Sequence, residues 1–196
     1  VFSAAGLQKP DISILTDEFL AEVKGMPQKN LAVELLAKLL KNEIKNPKNK
    51  KNLIQSRSFV EMLEEALKKY ENRSIETAQV IEELINLAKK INEAQKRGEE
   101  LGLSDDEIAF YDSLETNESA VRELGDDVLK EIARELVKSL RSNLKVDWTH
   151  RESVKAQIRL SIKHILKHHK YPPDKQEKAI KTVIEQAEEL YGDWVA

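Results

Sequence analysis

The residues with the widest chemical reach in this 196-residue chain gather near its C-terminal end. All four histidines, His150, His164, His168 and His169, lie there. His164 and His168 stand four apart in a helical stretch, so their imidazoles can converge on one metal ion. Zinc would need two more ligands, or one and a water. No glutamate sits between them as in His-Glu-x-x-His, and the pair reads as two solvated rings among lysines. No metal site is expected. Pro173-Asp174 followed by Glu177-Lys178 has the residue types of metal-dependent nucleases, in which carboxylates hold a divalent cation and a lysine orients the attacking water. That chemistry draws its residues from two neighbouring strands, whereas these lie within about one helical turn. The chain has no glycine-rich phosphate loop, no Gly-x-Ser-x-Gly elbow and no cysteine to act as nucleophile or thiolate ligand. No catalytic or cofactor-binding residue is expected.

The strongest physical feature is a cation series. Arg151, Lys155, Arg159, Lys163 and Lys167 follow one another every four residues, and Lys170 extends them. At ~100° per residue each step drifts about 40° round the helix axis, so the series winds across one side. Val154, Ile158, Ile162 and Ile165 take the other side as core. Such a surface could follow a phosphate backbone without reading sequence. It could equally meet an acidic protein or simply be solvated. Arg151, Lys155, Arg159, Lys163, Lys167 and Lys170 are therefore the candidate contacts with nucleic acid or a partner.

These residues need helices to position them, and the rest of the chain supplies little else. Thr16 or Asp17 caps a first helix stopped by Gly25. Pro27 suits the first position of a second, carrying Leu31, Leu35, Leu36, Leu39 and Leu40 and ended by Asn46-Pro47. A polar, lysine-rich loop follows over 47–52. A third helix opens near Ser58 with Phe59, Met62, Leu63, Ala66, Leu67 and Tyr70. A fourth runs from Ser74 to about Arg97, with a break bracketed by Gly98 and Gly102. Ser104-Asp105-Asp106-Glu107 is a capping box for a short fifth helix. A sixth follows Gly125-Asp126. Thr149-His150-Arg151-Glu152 is a second capping box, starting a helix that ends before Tyr171-Pro172-Pro173. A last helix covers Asp174 to Tyr191. The short turn between these two makes an antiparallel hairpin over 149–191. Trp148 and Trp194, at element edges, are expected to close the core.

The pattern is all-α: an irregular multi-helix bundle of about eight helices ending in that hairpin. Six glycines and five prolines argue against a sandwich or barrel full of tight turns. Aromatics are 5% and charged residues 34% of the chain, the mixture of long helices. The net charge of −3 is unevenly spread. Seven Lys/Arg face one acid over 38–57, thirteen Asp/Glu face three bases over 99–135, and ten Lys/Arg face four acids over 145–181. Such blocks suit two different partner surfaces. No apolar run approaches the ~20 residues that span a bilayer, so no membrane role is expected. The missing cysteines agree with a cytoplasmic location.

Three stretches together resemble one family, the helical C-terminal region of the R (restriction) subunit of type I restriction–modification enzymes. The first runs from Lys9-Pro10-Asp11-Ile12-Ser13-Ile14 to Val23 and on into Asn30-Leu31-Ala32-Val33-Glu34. The second joins Phe59-Val60-Glu61-Met62-Leu63 to Glu76-Thr77-Ala78-Gln79-Val80. The third is Asp147-Trp148-Thr149-His150-Arg151-Glu152, followed by Tyr171-Pro172-Pro173-Asp174. None is a catalytic motif, and their combination and order carry the resemblance.

The resemblance implies a parent that is an ATP-dependent type I site-specific deoxyribonuclease, with a nuclease domain, two motor domains using ATP and Mg²⁺, and then a helical region. It implies that the helical region helps attach the subunit to the methyltransferase core of modification and specificity subunits. Residues 1–15 are then an extended segment leading in from a preceding domain, consistent with the absence of an initiator Met, and 16–196 a helical domain with any hinge at 98–125. The expectation is a non-catalytic docking module that itself binds no cofactor. The alternative is an accessory module that grips duplex DNA behind the motor with the basic 151–181 hairpin.

Overall fold

The computed structural model describes residues 15–143 and 148–192. All but the last residue of the extended segment expected over 1–15, and the core role of Trp194, lie outside them. Among the described residues there are nine α-helices, two 3-10 turns and no strand, so the chain is an all-α multi-helix bundle. No helix among the described residues is long and apolar enough to cross a membrane. The chain divides into two compact units, one of residues 1–50 and 56–97, the other of 51–55 and 98–196.

In the first unit, Thr16 caps α1 (Asp17–Gly25), its hydroxyl accepting the Phe19 N–H at 3.3 Å. α2 (Lys29–Ile44) begins two residues later than the proline expectation. Pro27 lies before the helix, and Gln28 takes the N-cap position. Its buried Ala32, Val33, Leu35, Leu36, Leu39, Leu40 and Ile44 repeat at three- and four-residue spacing, a stripe wide enough to face a core. The expected polar loop after it contains a helical turn, α3 (Pro47–Lys50). Asn46 Oδ1 accepts the Lys48 N–H, and buried Asn49 donates to the Glu43 carbonyl at 2.8 Å. Polar composition therefore did not mean an irregular loop, because asparagines satisfied the backbone locally. α4 (Leu53–Glu71) supplies Phe59, Leu63 and Ala66, and α5 (Thr77–Leu101) supplies Val80, Ile81, Leu84, Ile85, Leu87, Ala88 and Ile91 to this core.

α4 starts five residues before Ser58, because Asn52 Oδ1 accepts the Gln55 N–H at 3.2 Å and caps it. α5 passes straight through Gly98. It stops at Gly102, whose φ of 64° closes the helix with Leu103 N–H on the Gly98 carbonyl at 2.9 Å and Gly102 N–H on that of Glu99 at 3.2 Å.

The second unit is built around α6 (Asp105–Glu115). The Ser104 capping box is present in full, and every residue from Ile108 to Leu114 is buried. α7 (Glu118–Asn143) and α9 (Gln176–Tyr191) pack on it. α7 is two helical pieces joined at Gly125 (φ 75°, ψ 171°), so the chain is already helical from 118. Asn117 caps that first piece through the Ser119 N–H. α8 (Glu152–His168) packs between α7 and α9 and forms with α9 the C-terminal hairpin. The second capping box does not form. Trp148–His150 is a 3-10 turn, Arg151 takes the N-cap position, and no side chain caps α8. The cause is the Trp148 indole, only 1% exposed, which donates to the Tyr191 carbonyl at 2.9 Å and draws the chain inward. Trp148 thus closes the core as expected. Phe110 stacks on Tyr191 with centroids 6.4 Å apart, and the Tyr171 hydroxyl donates to the Leu114 carbonyl at 3.1 Å.

Candidate interaction surface on the C-terminal hairpin

The rotation of α8 is fixed by Ile158, Ile162, Ile165 and Leu166, all buried. At ~100° per residue the opposite side is centred on Leu160, with Ser153, Ala156, His164 and Lys167 close to that line. Leu160 is 66% exposed, more than any other large hydrophobic residue described as exposed.

The six candidate cations do not share one face. Lys155, half-buried towards α9, is 3.1 Å from Glu188, and Lys163 is 3.8 Å from Glu177. Both pairs reach helix α9, so two members of the series are partly neutralised within the hairpin. Arg151 is exposed at the start of α8 and Arg159 on its flank. Lys167 is exposed on the same side as Leu160, about two turns further on in the last turn, where it also complements the negative end of the helix dipole. Lys170 lies in the turn at φ 56°, ending α8 with Tyr171 N–H on the Leu166 carbonyl at 2.8 Å. Arg151, Arg159, Lys167 and Lys170 have no acidic partner among the described residues. The structure thus sets Leu160 and Lys167 on one exposed side of α8, about two turns apart, leaves Arg159 about 100° round the axis from Leu160, and pairs Lys155 and Lys163 with α9.

The nuclease-like quartet has no geometry of that kind. Pro173, Asp174, Glu177 and Lys178 are all exposed, on the 3-10 turn Pro173–Lys175 and the first turn of α9, and Glu177 faces Lys163. His150 and His164 are exposed. His168 stacks edge-on against His169, with centroids 5.1 Å apart, and His169 Nε2 lies 2.7 Å from Glu135 Oε2 on α7. Sequence spacing could not show this contact, because Glu135 is 34 residues from His169.

Two polar groupings in this unit, one buried and one partly exposed, join residues too far apart in sequence for spacing to show them. Asp112, 4% exposed, accepts from Asn52 Nδ2 and Gln55 Nε2, each at 2.7 Å. Gln186, fully buried, accepts the Leu53 N–H at 2.9 Å and donates to the Lys51 carbonyl at 2.7 Å. Together they hold segment 51–55. The second grouping is Asp106, which takes Arg141 Nη2 at 2.7 Å and the Tyr191 hydroxyl at 2.8 Å. Burial pushes the Tyr191 phenol far above its ordinary range, and the Asp106 carboxylate adds to that. The hydrogen bond to Asp106 likewise raises the Arg141 guanidinium. A phenol held neutral and an always-charged guanidinium are structural partners here, since neither can exchange protons near neutral pH.

Residues 1–193 match the family described as the C-terminal region of subunits like the type I restriction enzyme HindI endonuclease subunit. The chain is 41% identical over 185 residues to the type I restriction enzyme HindI endonuclease subunit of Haemophilus influenzae, covering 94% of this chain and 17% of that protein. It is 36% identical over 167 residues to the putative type I restriction enzyme MjaIXP endonuclease subunit of Methanocaldococcus jannaschii, covering 85% of this chain and 16% of that one. The chain therefore spans about one sixth of the length of these relatives. No solved structure matches it significantly.

Proposed function

Since the chain belongs to the C-terminal family of HindI-like type I restriction endonuclease subunits, we propose that it is a non-catalytic helical docking module. It attaches an ATP-dependent, DNA-translocating endonuclease subunit to the methyltransferase core of modification and specificity subunits. ATP and Mg²⁺ act elsewhere in the parent. The observation that supports docking is the outer side of α8, where the exposed Leu160 shares its face with Lys167 and Arg159 flanks it, neither cation having an acidic partner among the described residues. An apolar anchor inside a polar, charged rim is the anatomy of a protein interface. The matching surface on the core would be acidic, with an apolar socket for Leu160.

The second reading, an accessory grip on duplex DNA, rests on the same unpaired cations. If Arg151, Arg159, Lys167 and Lys170 each neutralised one phosphate, log K would fall with log salt at a slope of about −3.6. Charge reversal separates the two readings. Arg159→Glu with Lys167→Glu should abolish assembly with the methyltransferase core, and Leu160→Ala should weaken it without changing any binding to DNA. Loss of duplex binding with normal assembly would instead favour the DNA grip. ATPase or nuclease activity in the 196-residue chain would overturn the non-catalytic reading.

A further inference from the structure

We infer that Glu135, His168 and His169 form a binding site for a divalent transition-metal ion, with Zn²⁺ the best match. One ligand atom from each of the three lies within 4.8 Å of the other two. The set is assembled from two packed helices. Glu135 is on α7, His168 is the last residue of α8, and His169 is the C-cap of α8, its N–H on the Ile165 carbonyl at 3.1 Å. His169 Nε2 and Glu135 Oε2 are already 2.7 Å apart, and the His168 ring stands edge-on to that of His169.

Two imidazoles and one carboxylate are a donor set that zinc takes with three protein ligands and an open fourth position. Tetrahedral bonds of ~2.0–2.1 Å place ligand atoms about 3.3 Å apart. His168 is exposed and can rotate inward by the remaining ångström or so, while Glu135 and the half-buried His169 already hold each other at 2.7 Å. Ca²⁺ and Mg²⁺ prefer oxygen ligands throughout, so the nitrogen pair selects against them. The ion would join the C-terminal end of α8 to α7 by coordination where a hydrogen bond now does so. This site is separate from the Leu160 surface and does not depend on the docking reading.

The test is a ZnCl₂ titration of the 196-residue chain by calorimetry, with thermal unfolding measured in parallel. The expected result is one saturable Zn²⁺ per chain, a higher unfolding temperature with Zn²⁺ present, and no comparable effect of Mg²⁺. His168→Ala and Glu135→Gln, both exposed changes whose folding circular dichroism verifies, should each weaken binding by at least about tenfold, the lower bound even for groups that only support a ligand. His164→Ala should leave binding unchanged. Absence of saturable binding, binding unaffected by Glu135→Gln or by His168→Ala, or binding lost in His164→Ala would each overturn the site. The last result would assign the ion to the His164/His168 pair.

Discussion

Removing the Asp112 carboxylate should be among the most damaging polar changes in the second unit. It is buried and accepts two amide hydrogen bonds at 2.7 Å, from Asn52 and Gln55, which hold the start of α4. Hydrogen bonds to a charged group contribute about 1.5–3 kcal/mol each, and an abandoned buried donor costs about 1–3 kcal/mol. Asn52 is 6% exposed and would be stranded, whereas half-buried Gln55 can turn partly to water. Alanine gains up to about 0.7 kcal/mol in helix propensity over aspartate. Counting the Asn52 bond and its stranded donor, and leaving out the Gln55 bond that water can replace, the net loss for Asp112→Ala is about 2–5 kcal/mol, a large share of the ~5–15 kcal/mol that holds a typical domain folded. Asp112→Asn keeps one acceptor oxygen and should lose less than half as much. Urea unfolding followed by tryptophan fluorescence measures both, Trp148 being buried in the same unit. Trypsin should also cut faster after Lys51 in the alanine variant, because segment 51–55 loses one of its two anchors. A loss under about 1 kcal/mol with unchanged proteolysis would refute the clamp.

Three further outcomes follow from the same geometry. Arg73 (φ 50°) and Lys170 (φ 56°) end α4 and α8 in the left-handed region, so Arg73→Gly and Lys170→Gly should each stabilise by about 0.5–1 kcal/mol, read as a higher urea midpoint. Tyr191 holds its proton more tightly folded than unfolded, so its contribution is intact below the ordinary phenol value of about 10 and is lost as pH rises above it, by up to about 1.4 kcal/mol per pH unit. Melting curves between pH 9 and 11 should therefore fall steeply in the parent chain and less steeply in Tyr191→Phe. Leu160→Ala should change stability by no more than about 0.5 kcal/mol, since the side chain is mostly in water, yet weaken assembly by about fivefold or more.

What the sequence made legible was what neighbouring residues decide among themselves. The Ser104 capping box forms because both its partners lie within four residues, and the stripe of α2 forms because its leucines share one face whatever lies opposite. The Thr149 box has the same local spacing but fails, because a contact 43 residues away, Trp148 to Tyr191, bends the chain into a 3-10 turn. From Ile108 to Leu114 α6 is buried on all sides, and nothing in Asp112-Ser113 announces that. The cation series was visible, but its division was not. Glu188 and Glu177 take up Lys155 and Lys163 from the next helix, and only the folded hairpin brings them there. Leu160 likewise reads as one more apolar residue until the rotation of α8 sets it in water.

The most direct test of the docking account is to mix the chain with the modification and specificity subunits of its parent enzyme and measure the mass of the eluting species by light scattering during gel filtration. The account predicts a stable complex at low salt, weakened at moderate salt by screening of Arg159 and Lys167, and absent in the Arg159→Glu, Lys167→Glu variant. Separate elution of the unaltered chain at both salt concentrations would contradict it and place the attachment surface elsewhere in the parent protein.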